Sequence, residues 1–187
     1  RLFPTVLQDS LALDILSNNK NYFDGKKYRD GETVAISILL RSMNFDRAIK
    51  KYISKHPQAT VVCLASGLET NFSRVDNGSI RWYDLDLPDA IDFRRKFIPE
   101  SGRNIHIKSD VLDYSWMDMV EYDSERGIFF VASGLFCYLE EDRLADLMRT
   151  LAQRFPGSEV MFDCYSPPMA RRLSKSLKKP GQLTRFF

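Results

Sequence analysis

One glycine and one aspartate stand at a spacing that suits nucleotide binding. Gly67 follows the apolar run Thr60 to Leu64, and Asp86 lies nineteen positions further on, at the end of a second strand-like run. Glycine can take a positive φ and lets the backbone approach a ligand closely, while a carboxylate at the next strand end can accept hydrogen bonds from both ribose hydroxyls. Asp84 is the alternative on the same side of the strand, but Asp86 is nearer the carboxyl end and is preferred.

The loop around Gly67 lacks the glycines of a dinucleotide-binding turn. Such a turn uses G-x-G-x-x-G to bring the backbone against a pyrophosphate, whereas Ala65 and Thr70 stand where the other glycines would be. The loop therefore favours a nucleoside ligand without phosphates. A nicotinamide dehydrogenase is the alternative that rests on the strand, loop and acid alone.

Alternating strands and helices must position these residues. Apolar, often β-branched runs predict strands at 60–64, 80–87, 105–109, within 128–139 and at 158–165. Apolar residues at helical spacing predict a helix that ends at His56-Pro57 and another over 144–151, and Pro88 begins a helix that is predicted to run to Ile98. This order predicts an α/β fold with a mostly parallel sheet and helices on both faces. Ligands of such sheets bind at the carboxyl ends of the strands.

Bulk composition excludes several protein classes. The 187 residues, 44% apolar and 28% charged, are typical of one folded soluble domain. The longest apolar run, 127–139, is shorter than the ~20 residues of a membrane helix, and residues 1–10 lack the features of a secretory signal. We therefore expect a cytoplasmic protein without membrane contact. The net charge of +2 gives no large steering field, so no nucleic-acid partner is expected, and the basic run 171–185 is interpreted as a solvated face with a nucleic-acid binder as the alternative.

Cysteine and histidine usage does not suggest a metal site. Three cysteines lie in apolar runs and are predicted to be buried, reduced thiols: Cys63, Cys137 and Cys164. The two histidines, His56 and His106, are fifty residues apart and assemble no zinc-binding spacing, so no metal is predicted. Three aromatic residues are expected in the core: Trp116, Phe136 and Tyr138.

Several segments resemble one enzyme family. Residues 61–97, VVCLASGLETNFSRVDNGSIRWYDLDLPDAIDFRRKF, are similar to the loop and acidic strand end of the leucine carboxyl methyltransferase and polyketide O-methyltransferase family. Arg41 with Phe45-Asp46 resembles its R-x-x-x-F-D segment, Asp110 with the following 113–116 resembles its D-x-x-x-x-x-W segment, and residues 131–142 resemble its A-E-G-L-x-x-Y-L segment. The resemblance spans about residues 9 to 175.

The resemblance implies a class I methyltransferase, a Rossmann-like three-layer sandwich that binds S-adenosylmethionine. It implies that Arg41 pairs with the methionyl carboxylate, for which a guanidinium is well shaped. It places Ala65 and Gly67 against the methionyl part. It assigns the ribose to Asp86, with Leu87 beside it.

The remaining family positions frame the adenine and the reacting end. The resemblance implies that Asp110 accepts from the adenine amine and that Val111 packs on the ring. Ser133 lies near the cofactor, at a position where many members have glutamate; Ala65 replaces a common glycine, and Glu69 replaces aspartate.

The implied activity is the S-adenosylmethionine-dependent transfer of a methyl group to a carboxylate or hydroxyl of a small molecule. A degenerate, non-catalytic binding module of the same fold is the alternative, motivated by Ser133 and the altered loop. No dedicated catalytic base is identified, and a homo-oligomer stays open. We expect one domain over 1–187, with a helical cap and lead-in over 1–58, a cofactor-binding core over 59–166 and an incomplete basic segment over 167–187. The last two strands of the class I sheet are expected to be lacking in this chain.

Overall fold

A parallel five-stranded sheet forms the centre of the protein. The computed structural model describes residues 7–20 and 32–164. The strands are β1 (Thr60–Leu64), β2 (Arg81–Asp86), β3 (Asn104–Lys108), β4 (Ile128–Ala132) and β5 (Glu159–Phe162). The α-helices are α1 (Ser10–Asn18), α2 (Glu32–Lys55), α3 (Asn71–Val75), α4 (Pro88–Arg94) and α5 (Glu141–Arg154), and short 3-10 helices lie at Tyr114–Met119 and Phe136–Tyr138.

The strand order creates a crevice beside β1. The order across the sheet is β3-β2-β1-β4-β5, and every neighbouring pair is parallel. The chain proceeds outward from β1 to β3 and then returns to the other side of β1, so the direction of winding reverses between β1 and β4. Ligands of open parallel sheets bind at such a reversal, outside the carboxyl ends of the strands. The predicted α/β fold is confirmed.

Alternating side chains of β1 join two hydrophobic cores. All five of its residues are buried, as continuous apolar strands covered on both faces should be. Val62 belongs to the cluster that contains Leu147 of α5, whereas Val61 belongs to the cluster that contains Phe45 and Ile49 of α2. The sheet is therefore the middle of three layers.

Helix α4 is shorter than the sequence predicts. Pro88 occupies its first turn, where a missing N–H is tolerated, but the helix ends at Arg94 instead of reaching Ile98. The Lys96 and Phe97 amides bond to carbonyls three residues back, Phe93 O at 3.2 Å and Arg94 O at 3.0 Å. These tighter turns interrupt the helix, and one α-type bond follows them, from the Ile98 amide to Arg94 O at 2.9 Å.

Three of the predicted buried positions are wrong. Cys63 is buried as expected, but Cys137 and Cys164 are exposed, and Tyr138 is 48% exposed. Cys137 and Tyr138 lie in the 3-10 turn after Gly134, whose φ is +70°, and face outward while Phe136 of the same turn packs into the core. Cys164 lies beyond the end of β5. Trp116 and Phe136 are buried, as predicted.

Some sequence predictions fall outside the described residues. The basic run 171–185, the segment 167–187 and residues 1–6 belong there, and so does the question of strands after β5. Within residues 7–20 and 32–164, no helix combines the length and apolarity needed to span a bilayer. The same residues contain no cluster of three or more His, Cys, Asp or Glu side chains arranged to hold a metal ion.

Candidate cofactor site

The loop after β1 contains two residues in the left-handed backbone region. Gly67 has φ 48°, which glycine adopts readily, and Ala65 has φ 55°, which costs an L-residue roughly 1–2 kcal/mol. The Ser66 amide donates to Leu85 O at 3.1 Å and the Glu69 amide donates to Ser66 O at 2.9 Å. The strain at Ala65 thus accompanies a sharp, hydrogen-bonded turn at the carboxyl end of the central strand.

Asp86 ends β2 directly beside this loop. Its Oδ2 accepts the Gly67 amide at 2.8 Å and its Oδ1 accepts the Leu87 amide at 2.8 Å. Each carboxylate oxygen can accept more than one hydrogen bond, so both retain capacity for a hydroxyl donor. Burial raises the pKa of the Asp86 carboxyl, and the two backbone hydrogen bonds oppose that shift. The carboxylate is held in place by main-chain donors and is half-buried.

Asp84, the alternative ribose ligand, is committed to a different role. Its side chain is 1% exposed, and its Oδ2 accepts Arg94 Nη2 at 2.7 Å while its Oδ1 accepts the Trp82 indole N–H at 3.0 Å. Arg94 Nη1 also donates to Gly67 O at 3.0 Å and Glu69 O at 2.8 Å. The buried Asp84–Arg94 pair therefore fastens the two carbonyls of the loop, which leaves Asp86 as the carboxylate that faces the site.

His106 completes this buried group. Arg94 Nε donates to its Nε2 at 3.4 Å, and its Nδ1 has no hydrogen-bond partner among the described residues. Burial lowers the pKa of His106, with Arg94 adding to that effect and Asp84 opposing it. The imidazole is thus held neutral next to the guanidinium.

Arg41 lies on the opposite side of the loop, near the end of β5. Its Nη1 is 3.4 Å from Asp163 Oδ2 and its Nη2 is 4.0 Å from Glu69 Oε1. The Gly134 amide donates to Asp163 Oδ1 at 2.6 Å. A Cβ on Gly134 would stand 3.1 Å from Arg41 Nη1, so glycine at this position makes room for the guanidinium. Burial raises the pKa of Glu69, against the influence of Arg74 and Arg41.

The amino-terminal helix is attached where the loop runs into α3. Asp9 caps α1 by accepting the Ala12 amide at 2.9 Å, and its other oxygen accepts Arg74 Nη1 at 2.6 Å. Arg74 Nε also donates to Asp46 of α2 at 2.6 Å. One arginine thereby connects α1 and α2 to the end of the loop.

The predicted adenine residues lie at the same edge of the sheet. Asp110 follows β3, is exposed, and its Oδ1 accepts the Leu112 amide at 2.9 Å, which is an Asx turn. Val111 is 9% exposed and belongs to the core cluster on the α5 side. The Ser109 amide bonds to Asp86 O at 2.9 Å, which places this turn beside the proposed ribose carboxylate.

The structure therefore places the predicted positions in three groups. The Gly67 and Leu87 amides both donate to the Asp86 carboxylate, and Ala65 lies two residues before Gly67. Arg41 lies beside Gly134, which follows Ser133, a half-buried residue at the end of β4. Asp110 and Val111 lie after β3. The assigned binding roles remain predictions.

Unpartnered buried atoms suit a ligand at this place. The Ser66 hydroxyl and Arg41 Nε are buried and find no hydrogen-bond partner in the described part of the chain. A guanidinium, a carboxylate with free acceptor capacity and a loop with positive φ values together match the carboxylate, the ribose and the close backbone approach of an adenosyl amino acid. The residues present fit S-adenosylmethionine.

A comparison with protein families decides the family membership. The sequence profile of leucine carboxyl methyltransferase matches residues 4–152. The chain belongs to the leucine carboxyl methyltransferase family. The family resemblance of the sequence segments is thereby confirmed.

Two curated proteins with methyltransferase names are similar in sequence to this chain. The tetracenomycin polyketide synthesis O-methyltransferase TcmP of Streptomyces glaucescens is 29% identical over 179 residues, which cover 94% of this chain and 65% of that protein. The S-adenosyl-L-methionine-dependent methyltransferase dpfgK of Gibberella zeae is 27% identical over 137 residues, 67% of this chain and 46% of that protein. The chain thus spans less than two thirds of either relative.

Solved structures agree on the fold. The magnesium protoporphyrin IX methyltransferase ChlM of Synechocystis PCC 6803, solved with bound SAH, has a TM-score of 0.54 at 11% identity and covers 92% of this chain and 80% of that one. At this identity the likeness shows the class I methyltransferase fold alone.

Two residues at the site of this leucine carboxyl methyltransferase family member were not predicted from the sequence. Asp163 directly follows β5, so the rule that ligands gather at strand ends was the signal that could have found it. Arg94 is the last residue of α4, ten residues from its partner Asp84, and no spacing rule connects the end of a helix to a loop carbonyl.

Proposed function

We propose that the protein is an S-adenosylmethionine-dependent O-methyltransferase that methylates a carboxylate or hydroxyl of a small molecule. The observation that carries the proposal is Asp86, held at the end of β2 by the Gly67 and Leu87 amides at 2.8 Å each. In this arrangement the Asp86 carboxylate can accept hydrogen bonds from the hydroxyls of a ribose. The loop beside it lacks the glycines that bind a pyrophosphate. Family membership supports the methyl-transfer chemistry.

The other residues suit the remaining parts of the cofactor. Arg41 would pair with the methionyl carboxylate, because guanidinium and carboxylate form strong charge-assisted hydrogen bonds. The Asp110 carboxylate, oriented by the Leu112 amide, would accept from the adenine amine, and Val111 would pack on the ring. Ala65, Gly67 and Ser133 would line the methionyl end.

The bound cofactor supplies an electrophilic methyl group on a sulfonium. An acceptor oxygen forms the new bond to the methyl carbon while the electron pair of the broken carbon–sulfur bond stays on sulfur. The task of the protein is to align the two groups and exclude water. A carboxylate acceptor needs no base, whereas a hydroxyl must release its proton. The name of the Streptomyces relative, an O-methyltransferase of polyketide synthesis, supports oxygen as the acceptor atom.

Calorimetric titration of the whole protein with S-adenosylhomocysteine tests the proposal. We expect saturable heat with the wild type and a loss of affinity of at least tenfold in Asp86→Ala, because charged hydrogen bonds to the ribose disappear. Asp89→Ala is the control, since Asp89 is an exposed acidic residue three positions further along, in the first turn of α4. A wild-type protein that binds neither S-adenosylmethionine nor its demethylated product contradicts the proposal.

Ser133 motivates a second candidate, a binding module without catalysis. It offers a hydroxyl where many family members place a carboxylate near the cofactor. The two functions are separated by incubating the protein with radiolabelled S-adenosylmethionine and a panel of carboxylic acids and phenols. Transfer of label to any acceptor supports the enzyme, whereas tight cofactor binding without transfer supports the module.

A further inference from the structure

Two carboxylates flank one guanidinium at the site. Among the described residues, Asp163 and Glu69 are the acidic side chains within 4.0 Å of Arg41. All three side chains are between 24% and 30% exposed, so they face a space that is open to a ligand yet partly shielded from water. Interactions between charges are stronger there than on an open surface.

Asp163 is held in a defined orientation. Ala132, the last residue of β4, is paired with Phe162, the last residue of β5, so the residues after both strands emerge side by side. The Gly134 amide fixes Asp163 Oδ1 at 2.6 Å. The other oxygen, Oδ2, makes a 3.4 Å contact with Arg41 Nη1, which is long for a hydrogen bond and leaves that oxygen able to accept a better donor.

The chemistry of the ligand links these two charges. In the amino-acid end of the proposed cofactor, the carboxylate and the ammonium are attached to the same carbon. The group that holds the ammonium must therefore be next to the group that holds the carboxylate. When Arg41 pairs with the incoming carboxylate, the negative charge of Asp163 loses part of its compensation, and an ammonium at the same place restores it.

We propose that Asp163 binds the ammonium group of the cofactor's amino-acid end, beside Arg41. This inference rests on the proposed function and assigns a residue to a part of the ligand that no sequence motif addresses. Ser133, the neighbouring position at the end of β4, offers only a hydroxyl. Glu69 is the competing carboxylate, but its charge is already compensated in part by Arg74 as well as Arg41. Burial raises the pKa of Glu69 against the influence of both arginines, so a full negative charge is harder to maintain there.

Ligands that differ in one group test this assignment. Wild type and Asp163→Asn are titrated with S-adenosylhomocysteine, with its analogue that lacks the α-amino group, and with methylthioadenosine, which lacks the whole amino-acid end. We expect Asp163→Asn to weaken S-adenosylhomocysteine roughly 10- to 100-fold, as for loss of a hydrogen bond between charged groups. The affinities for the deaminated analogue and for methylthioadenosine should change less than about threefold.

Control variants separate this role from structural ones. The asparagine oxygen can still accept the Gly134 amide, so the fold should persist, which thermal unfolding checks. Asp142→Asn removes an exposed charge from α5 and should leave every affinity unchanged. Equal weakening of all three ligands by Asp163→Asn, or selective weakening by Glu69→Gln instead, overturns the assignment while leaving the proposed function intact. Absence of S-adenosylhomocysteine binding in the wild type refutes both.

Discussion

The Gly67 amide and Asp86 Oδ2 are joined by a 2.8 Å hydrogen bond. The bond connects the loop after the central strand to the end of the next strand, so loop shape and carboxylate orientation depend on each other. The Leu87 amide donates to the other oxygen. Both carboxylate oxygens therefore accept a backbone amide, and these two bonds fix the orientation of the side chain.

Cofactor affinity should therefore depend on the ionisation of Asp86. Burial raises its pKa, so protonation begins at a higher pH than for a free aspartate, and a protonated carboxyl loses acceptor capacity for the ribose. We expect the affinity for S-adenosylhomocysteine to fall as the pH is lowered through this raised pKa. Titration calorimetry between pH 8 and about pH 4, close to the pKa of an ordinary aspartate, measures the effect.

Two variants control that pH experiment. Asp86→Asn should bind weakly and without the pH dependence. Glu69→Gln should retain it, although the pKa of Glu69 is also raised by burial. A wild-type affinity that stays constant down to the pKa of an ordinary aspartate would argue against the role of Asp86.

Ala65→Gly should stabilise the protein. The φ of 55° at Ala65 costs an alanine roughly 1–2 kcal/mol, and glycine relieves it at the expense of about 0.4–1 kcal/mol of unfolded-state entropy. We expect a net increase of about 0.5–1 kcal/mol in the free energy of unfolding, measured by urea titration. Ala48→Gly, inside α2, is the matched control and should lower stability by about 1 kcal/mol.

Arg94 should affect stability and binding separately. Arg94→Met leaves Asp84 as an unpaired buried carboxylate and should cost about 3–5 kcal/mol. Asp84→Leu combined with Arg94→Met removes both charges and should recover much of that loss. The double variant still lacks the bonds to Gly67 O and Glu69 O, so we expect its S-adenosylhomocysteine affinity to remain reduced. Affinity that recovers together with the melting temperature would mean that Arg94 serves stability alone.

His106 should make the protein less stable in mild acid. Its pKa is lowered in the folded state by burial, so the unfolded chain takes up a proton first, near pH 6.5. The free energy of unfolding should decrease as the pH falls from there towards the lowered pKa, by up to about 1.4 kcal/mol per pH unit. The pKa of the imidazole is also affected by four charged neighbours: Asp84 and Glu100, which raise it, and Arg94 and Arg95, which lower it. Comparison of urea unfolding of wild type and His106→Gln at pH 7.5 and 5.5 isolates the contribution.

The strands were predictable because local composition decides them. The run 60–64 is β1 as predicted, and the bounds of β2, β3 and β5 lie within about one to three residues of the predicted ones. Strand β4 lies inside the predicted window 128–139. Gly67 and Asp86 could be paired in advance because the geometry of adjacent parallel strand ends is nearly constant.

Contacts between residues on different elements could not be predicted from the sequence. The bond from Arg94 to Asp84 depends on how α4 packs against β2, and the proximity of Asp163 to Arg41 spans 122 residues. The exposure of Cys137 could not be derived from its apolar neighbours, because Phe136 beside it packs into the core while Cys137 faces outward from the same 3-10 turn.

The order of the strands has a consequence for how the site is made. Thr60 pairs with Arg81, 21 residues along the chain, and with Ile128, 68 residues along; closing the longer loop costs about 1 kcal/mol more entropy. The half of the sheet that carries Gly67, Asp86 and Asp110 can thus form from nearby segments, while β4 and β5 must join from afar. On the ribosome, a chain that has emerged through β3 already contains the proposed adenosine-binding half. The half proposed to hold the amino-acid end is completed only when β5 arrives.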